Sequence, residues 1–195
     1  MGNAMTQLAR ALDARHAVST TSSRAKAAEA LRYFVEGSSV RAGTSRHIAP
    51  RLTGSTTDKH KEKKQMAMVE RNNVEFGVEG GVTLRGWLFV PGAKGPAPAI
   101  TMAHGYAGVK EHGLERFARA FAEAGFVVLV HDHRNFGASD GEERGDVDPW
   151  QQIADWRRAI SFLERRPEVD AAQIGIWGTS YAGGHAIVLV LPTGD

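Results

Sequence analysis

The sequence predicts an α/β fold with a mostly parallel sheet and an antiparallel hairpin on its N-terminal side. Three observations support this prediction. Short continuous apolar runs alternate with amphipathic helical patterns, which is typical of parallel strands joined by crossover helices. Two segments with period-two alternation precede these runs and indicate a hairpin. Finally, an apolar strand at residues 174–177 breaks into a Gly-Thr-Ser turn and then into a helix.

The strands are predicted in the following order along the chain. Apolar residues alternate at 74–78 and 82–90 around a Glu-Gly-Gly turn, which predicts the hairpin. A short buried strand follows at 99–103. The apolar run at 126–130 has the continuous hydrophobicity of a parallel strand covered on both faces. The strand at 174–177 is the fifth of this series.

Helices are predicted between these strands from apolar residues at helical spacing. The first has the apolar set Leu114, Phe117, Ala118, Phe121 and Ala122. The second has the apolar set Trp150, Ile153, Trp156, Ile160 and Leu163. A third helix opens at Tyr181, directly after the serine of the Gly-Thr-Ser turn, and Pro192 is expected to end it.

The N-terminal segment differs from the rest of the chain in charge. Residues 1–65 carry 12 Lys and Arg against 5 Asp and Glu, whereas residues 66–195 carry 12 against 17. Residues 4–17 and 22–36 have only thin apolar faces, and residues 37–65 are rich in Ser, Thr, Gly and basic residues. Such a composition buries too little apolar surface to offset the entropy of ordering. We therefore expect residues 1–68 to be a basic, largely disordered extension and residues 69–195 to form the domain.

Several roles for the extension stay open. Its Arg and Ser content is compatible with a transit peptide, and Met-Gly-Asn-Ala-Met-Thr at residues 1–6 fits the N-myristoylation pattern. The lysine cluster at 59–64 lacks interleaved aromatic residues, so we expect a solvated linker and no nucleic-acid partner. We favour a translation start at Met66 or Met68, or a dispensable extension.

The composition excludes several classes of protein. Cysteine is absent, which excludes disulfides, thiolate metal sites and a cysteine nucleophile. No apolar run approaches the ~18 residues of a membrane span, so we expect no membrane partner. The lack of cysteine is compatible with a reducing compartment, and we expect a cytoplasmic location.

Ser180 is the candidate nucleophile. A strand followed by a glycine-flanked serine and a helix is the arrangement in which a strained turn exposes a serine hydroxyl at the top of a sheet. The alternative interpretation is a serine that caps a helix beside a phosphate-binding type of loop.

Three motifs follow the third, fourth and fifth strands of the series. They are His-Gly-Tyr at 104–106, Asp-His-Arg-Asn-Phe-Gly-Ala-Ser at 132–139 and Gly-Thr-Ser-Tyr-Ala-Gly at 178–183. In this order and spacing, residues 69–191 resemble the first half of an α/β-hydrolase. They are similar to the dienelactone-hydrolase-like and X-Pro-dipeptidyl-peptidase-like members of that superfamily. Ala182 replaces the second small glycine of the usual Gly-x-Ser-x-Gly motif, and alanine is small enough for that position.

The resemblance implies roles for further residues. The backbone N–H groups of Tyr106 and Tyr181 would form the oxyanion hole, which stabilises the tetrahedral intermediate of acyl transfer. Asp132 and Arg134 would brace the loop after the fourth strand. No metal and no organic cofactor is implied, and the partner would be a small-molecule acyl substrate.

The base of the predicted triad is not evident from the sequence. The resemblance implies an acid after a later strand and a histidine after the last one, both beyond Asp195. The chain is therefore expected to be incomplete, truncated after the nucleophile strand, turn and helix. His131 and His133 follow a strand at the correct edge of the sheet, but we do not favour them as substitutes.

The predicted function is that of a serine hydrolase acting on an ester, thioester or related acyl bond through an acyl-enzyme. Two alternatives remain: a catalytically inactive α/β-hydrolase-like fragment or scaffold, and a serine peptidase acting on X-Pro bonds. Without neighbouring strands, residues 174–177 would leave an open apolar edge, which favours aggregation or oligomerisation.

Overall fold

The computed structural model describes residues 18–20, 68–92 and 95–191. Its described strands form one sheet with the order β1-β6-β4-β5-β3-β2. The strands are β1 (Val18–Thr20), β2 (Val69–Gly77), β3 (Thr83–Pro91), β4 (Ala97–Ala103), β5 (Val127–His131) and β6 (Val169–Gly178). The α-helices of the described part are α1 (Leu114–Glu123), α2 (Pro149–Glu164) and α3 (Tyr181–Val190). The predicted α/β fold is confirmed.

The hairpin forms the antiparallel side of the sheet. β2 pairs with β3 from Val69 opposite Pro91 to Gly77 opposite Thr83, so its first strand is longer than predicted. A single 3-10 turn at Glu79–Gly81 joins them, and Gly80 has a φ of 79° there. Glycine adopts this left-handed conformation without a steric penalty. β3 continues the sheet by pairing antiparallel with β5.

The centre of the sheet is parallel and positions the candidate site. β4 pairs in parallel with both β5 and β6. Ala103, His131 and Gly178 are in register with one another across these three strands. The carboxyl ends of the strands therefore meet at one edge, and the three predicted motifs start there. Ligands of parallel α/β sheets bind at this edge.

Helices cover both faces of the sheet. Val128 and Val130 of β5 pack with α1, whereas Val127 and Leu129 pack with α2 and α3. Alternate residues of a strand point to opposite faces, so the two apolar clusters lie on opposite sides of the sheet. In the cluster on the side of α2 and α3, Trp156 is fully buried and its Nε1 donates to Thr101 Oγ1 at 2.9 Å.

The apolar face predicted for the first helix is confirmed. The buried residues of α1 are the five predicted ones: Leu114, Phe117, Ala118, Phe121 and Ala122.

The prediction for the second helix is wrong at Trp150, whose exposed fraction is 72%. Trp150 lies in the first turn of α2, where its backbone N–H donates to the capping carboxylate of Asp148 at 2.9 Å. The polar residues Gln152 and Asp155 are buried instead. Each has a partner in another element, so counting apolar residues alone misassigned this face.

Within the predicted extension, residues 18–20 form a strand that the sequence did not predict. They form β1, which pairs in parallel with β6 at residues 176–178. This pairing covers part of the edge that was expected to be open at 174–177. A three-residue strand has no periodicity of its own, which is why its sequence did not reveal it. Residues 4–17 and 22–36, whose apolar faces are thin, lie outside the described residues.

Within the described ranges, none of the helices combines the length and the apolar character that a membrane crossing requires.

Candidate active site

Ser180 lies in a strained turn between β6 and α3. Its backbone has φ 54° and ψ −120°, a conformation that residues with a side chain rarely adopt. Backbone N–H groups of Ala182 and Gly183 donate to the carbonyls of Thr179 and Ser180 at 3.1 and 3.0 Å and tighten the turn. The residue is exposed. The turn thus presents the hydroxyl to solvent at the carboxyl edge of the sheet, as the sequence predicts.

Small residues make this turn possible. A Cβ at Gly178 would overlap the backbone carbonyl of Ala182. Ala182 is itself fully buried. The close approach of β6 to α3 therefore requires glycine at 178 and tolerates alanine at 182.

The hydroxyl of Ser180 makes no hydrogen bond that caps α3. The alternative interpretation, a serine whose side chain caps the helix beside a phosphate-binding type of loop, is therefore not supported by this contact. Among the described residues, no side chain forms a hydrogen bond with this hydroxyl either.

The loop after β4 contacts the serine directly through Gly105. A Cβ built on Gly105 would lie 3.0 Å from Ser180 Cβ, 3.1 Å from the Thr179 carbonyl oxygen and 3.6 Å from Ser180 Oγ. Any larger residue would have to push the two loops apart. Tyr106 follows Gly105, so its backbone N–H lies in the peptide next to this contact. The structure thus brings the predicted oxyanion residue Tyr106 close to Ser180.

Two tyrosine rings flank the serine. The rings of Tyr106 and Tyr181 meet edge to face, with centroids 5.6 Å apart. Tyr106 is 68% exposed, an unusual exposure for a large aromatic side chain. Tyr181 is half-buried, begins α3 and packs against His185 with ring centroids 4.8 Å apart. We name this pair, Tyr106 and Tyr181, the tyrosine wall.

Asp132 is bound within the protein and is not free for catalysis. Its fully buried carboxylate accepts hydrogen bonds from Lys110 Nζ at 2.5 Å, from the Lys110 backbone N–H at 2.7 Å and from the Ala138 N–H at 2.9 Å. Lys110 is only 3% exposed. This buried ion pair joins the loop after β4 to the loop after β5. The sequence did not reveal Lys110, since no motif or period links it to a carboxylate 22 positions away.

Arg134 braces the same loop against α2. Its Nε and one terminal nitrogen each lie 2.6 Å from a carboxylate oxygen of buried Asp155. It also donates to the Glu79 carbonyl at 3.2 Å, which ties the hairpin turn to the loop. Both Asp132 and Arg134 thus have the bracing contacts that the resemblance implied.

The histidines at the carboxyl end of the sheet are buried and neutral. His131 and His133 are nearly or fully inaccessible, and their ring nitrogens have no hydrogen-bond partner in the described part of the chain. Burial lowers the pKa of His131 to about 3 and the pKa of His133 well below its ordinary value. His185 Nε2 lies 3.0 Å from Gln152 Oε1, and burial also lowers its pKa.

These histidines do not form the site that the chemistry requires. A general base for a serine must lie within hydrogen-bond reach of its hydroxyl, and none of them does so here. The described ranges also contain no group of three or more His, Asp or Glu side chains arranged to hold a metal ion. His131 and His133 remain unfavoured as substitutes.

Relaxing the backbone at residue 180 is expected to stabilise the protein. Ser180→Gly should be more stable than Ser180→Ala by about 1 kcal/mol, because glycine adopts a positive φ without strain whereas alanine keeps the Cβ. Both variants lack the hydroxyl, so their difference in free energy of unfolding reports the backbone strain less the larger conformational entropy of glycine in the unfolded chain. Urea unfolding followed by tryptophan fluorescence measures it. A Ser180→Gly variant less stable than Ser180→Ala by about 0.4–1 kcal/mol, the unfolded-state cost of glycine, would show that the turn is not strained.

Known proteins resemble this chain over the part that contains the site. The family model described as X-Pro dipeptidyl-peptidase (S15 family) matches residues 80–194. The thiohydrolase aneE of Aspergillus aculeatus is 43% identical over 116 residues, which are 60% of this chain and 36% of that protein. The polyketide transferase ATR5 of Stachybotrys chlorohalonatus is 44% identical over 115 residues, 59% of this chain and 38% of that protein.

A solved structure shows the same fold. The crystal structure of the α/β-hydrolase GrgF from Penicillium sp. sh18 superposes with a TM-score of 0.53 at 40% identity, over 56% of this chain and 37% of that one. The chain therefore spans little more than a third of the length of these relatives.

Proposed function

The chain belongs to the X-Pro dipeptidyl-peptidase (S15) family, with an α/β-hydrolase fold, and on that premise we propose that it is a serine hydrolase of acyl bonds. One observation carries the proposal: an exposed serine in a strained turn, packed against a glycine loop at the carboxyl edge of the sheet. A serine placed in this way is accessible to a carbonyl carbon. The two loops around it supply backbone N–H groups for the oxygen of that carbonyl.

The reaction would proceed through an acyl-enzyme. Ser180 Oγ attacks the carbonyl carbon and loses its proton to a base, and the carbonyl oxygen becomes an oxyanion near the N–H groups of Tyr106 and Tyr181. The bond to the leaving alcohol or thiol then breaks as that group takes up a proton. Water hydrolyses the resulting ester of Ser180 and releases the acid. In this proposal Ser180 is the nucleophile and Tyr106 and Tyr181 are the oxyanion donors, whereas the described residues offer no base.

The substrate would be an ester or thioester. Proteins named thiohydrolase and polyketide transferase are among the relatives, and we extend the first name to this chain as the hydrolysis of a thioester. The tyrosine wall adds an exposed aromatic surface beside the serine, which suits an acyl group with a planar or apolar portion.

The proposal requires a base outside the described residues, and with that base Ser180→Ala is expected to lower hydrolysis of p-nitrophenyl acetate and of S-phenyl thioacetate by about 10³-fold or more, since it removes the nucleophile that the base activates. A fluorophosphonate should label the unmodified chain once: the Ser180 oxygen bonds to phosphorus, the P–F bond breaks and fluoride leaves. Intact mass spectrometry detects the added group. Ser161→Ala, a serine substitution on α2, is the matched control and should keep both properties.

A catalytically inactive scaffold is the second candidate. The specific observation in its favour is the Ser180 hydroxyl, which has no hydrogen-bond partner within the described ranges. Identical hydrolysis and no labelling for the unmodified chain and Ser180→Ala would establish this candidate and refute the hydrolase.

Peptidase action is the third candidate, favoured by the family match itself. An Ala-Pro p-nitroanilide substrate, assayed beside the two acyl substrates, distinguishes it. Ser180-dependent release of nitroaniline, without cleavage of the thioester, would favour the peptidase.

A further inference from the structure

The ring of His104 connects the loop after β4, which contains Gly105, to the end of the neighbouring strand β5. Its Nδ1 lies 2.9 Å from the Gly105 carbonyl oxygen, and its Nε2 lies 3.2 Å from the backbone nitrogen of His133. A backbone N–H only donates, so Nε2 must accept; a carbonyl only accepts, so Nδ1 must carry a proton. The two contacts therefore select one neutral tautomer, protonated at Nδ1.

The surroundings of the ring favour this neutral tautomer. His104 is 3% exposed and packs edge-on against the rings of His133 and Phe136, with centroids 4.7 and 5.7 Å away. Burial lowers its pKa below the ordinary value. Protonation would turn Nε2 into a donor facing the N–H of His133, and that hydrogen bond would be lost. Both ring nitrogens are thus engaged, which leaves none to act as a base.

The Gly105 carbonyl is the group that the ring holds. It accepts a second hydrogen bond from the Gly108 N–H at 3.1 Å. The Gly105 carbonyl and the Tyr106 N–H belong to one planar trans peptide and point in opposite directions. No peptide of the described residues is cis. Fixing the direction of the carbonyl therefore fixes the direction of the Tyr106 N–H.

This peptide borders the serine. The Cα of Gly105 is close enough to Ser180 that a Cβ there would stand 3.6 Å from the hydroxyl oxygen. A rotation of the peptide would turn the Tyr106 N–H away from an acyl group on Ser180 without moving the serine itself. A small change in the direction of an oxyanion donor reduces the stabilisation of the transition state, because the donor must lie at hydrogen-bond distance from the oxyanion.

We propose that His104 is a positioning residue, whose Nδ1–H holds the Gly105 carbonyl so that the Tyr106 N–H points at the oxyanion of an acyl group on Ser180. The proposal rests on the proposed function for the identity of the acyl group. His104 does not contact that group; it acts through the Gly105–Tyr106 peptide. The bond from the His133 N–H keeps the ring in place.

Two substitutions separate the two hydrogen bonds. In His104→Asn the side-chain amide nitrogen takes the position of Nδ1 and can still donate to the Gly105 carbonyl. In His104→Gln the longer side chain reaches the position of Nε2 and can accept from the His133 N–H, but it provides no donor at the position of Nδ1. The two variants carry the same amide group and differ in the hydrogen bond that each retains. Comparing them therefore tests which of the two hydrogen bonds sets the direction of the Gly105–Tyr106 peptide.

The direction of the Tyr106 N–H is measured by its residual dipolar coupling in the 15N-labelled full chain. Couplings of buried Val128 and Leu129 in β5 serve as the internal reference. The Tyr106 coupling should be unchanged in His104→Asn and should shift beyond the spread of the reference couplings in His104→Gln. An unchanged Tyr106 coupling in both variants would overturn the proposal. If His104→Gln fails to fold, the ring 15N spectrum of the unmodified chain decides: protonated Nδ1 supports the proposal and protonated Nε2 overturns it.

The rate of fluorophosphonate labelling separates this inference from the proposed function. Loss of an oriented donor should slow labelling of His104→Gln about tenfold or more, whereas His104→Asn should stay within about twofold of the unmodified chain. A chain that is never labelled but keeps the predicted couplings refutes the hydrolase and supports the orientation of the peptide. Labelling with equal rates in all three proteins overturns the positioning role and leaves the hydrolase intact.

Discussion

Lowering the pH from 6.5 to 5 is expected to remove about 3 kcal/mol from the free energy of unfolding. The cause is the pair of buried histidines at the carboxyl end of β5. The ring nitrogens of His131 and His133 have no hydrogen-bond partner among the described residues. Burial lowers the pKa of His131 to about 3 and that of His133 well below its usual range, so both rings stay neutral in the folded protein.

The sign of the effect follows from proton uptake. An unfolded histidine has a pKa of about 6.5, so below that pH the unfolded chain binds protons that the folded chain cannot bind. Each such histidine therefore costs about 1.4 kcal/mol of stability per pH unit, from pH 6.5 down to the folded pKa. The negative charge of Asp132 opposes this shift at His131, but burial is the larger cause. A loss of about 3 kcal/mol is a large fraction of the stability of a domain, which is typically about 5–15 kcal/mol.

Urea unfolding at pH 7, 6 and 5, followed by tryptophan fluorescence, measures the slope. His131→Leu should flatten it by about 1.4 kcal/mol per pH unit, since one titrating group is removed. His112→Gln, at an exposed position, is the matched control and should leave the slope unchanged. The carboxylates of Glu79 and Asp140, whose pKa values are lowered by hydrogen bonds from Arg158 and Arg85, lose their contribution only at lower pH. An identical slope in His131→Leu and the unmodified chain would contradict the prediction.

Local patterns explain which parts of the fold the sequence predicts. The apolar face of α1 and the buried strands β4, β5 and β6 follow directly from hydrophobic periodicity, because a helix or a central strand in an α/β sheet must bury those positions. The turn at Ser180 is equally local. Strand, glycine, serine and helix lie within a few residues of one another, so their order alone predicts the strained turn, in which the structure gives Ser180 a φ of 54°.

The features that the sequence did not predict depend on partners distant in the chain. Asp155 is buried in α2 because Arg134 neutralises it, and Trp150 is exposed because the cap at Asp148 sets the start of the helix. β1 forms only against β6, in a register that its three residues do not encode. For the same reason the contacts of His104 and Lys110, across 29 and 22 positions, follow no rule of spacing.

Asp132→Asn is expected to destabilise the protein by about 3–5 kcal/mol, because it breaks a buried ion pair and leaves Lys110 charged. The carboxylate is fully buried and receives three hydrogen bonds, two of them from the backbone N–H groups of Lys110 and Ala138. Asparagine has one oxygen for these donors, and its amide N–H₂ would face an N–H group. The substitution also leaves the ammonium of Lys110 buried beside Glu111 alone, whose side chain is half exposed.

The loss of charge and the loss of acceptors can be separated by a double-mutant cycle. Lys110→Met alone leaves Asp132 as an uncompensated buried charge and should cost several kcal/mol. The double variant Lys110→Met with Asp132→Asn buries neither charge, so its cost should be smaller than the sum of the two single costs. Additive single costs would show that the pair is not coupled. Glu115→Gln, which breaks an exposed ion pair with Arg119 on α1, is the control and should cost less than about 1 kcal/mol.

Asp132→Asn should also slow the labelling of Ser180, because the Lys110–Asp132 pair joins the loop after β4, which contains Tyr106, to the loop after β5. In Asp132→Asn the Gly105–Tyr106 peptide loses the fixed end of its loop, while Ser180 keeps its own turn through Gly178 and Ala182. Labelling of Ser180 should therefore slow even at temperatures where circular dichroism shows the variant folded. Unchanged labelling in a folded variant would mean that the ion pair stabilises the fold without positioning the oxyanion loop.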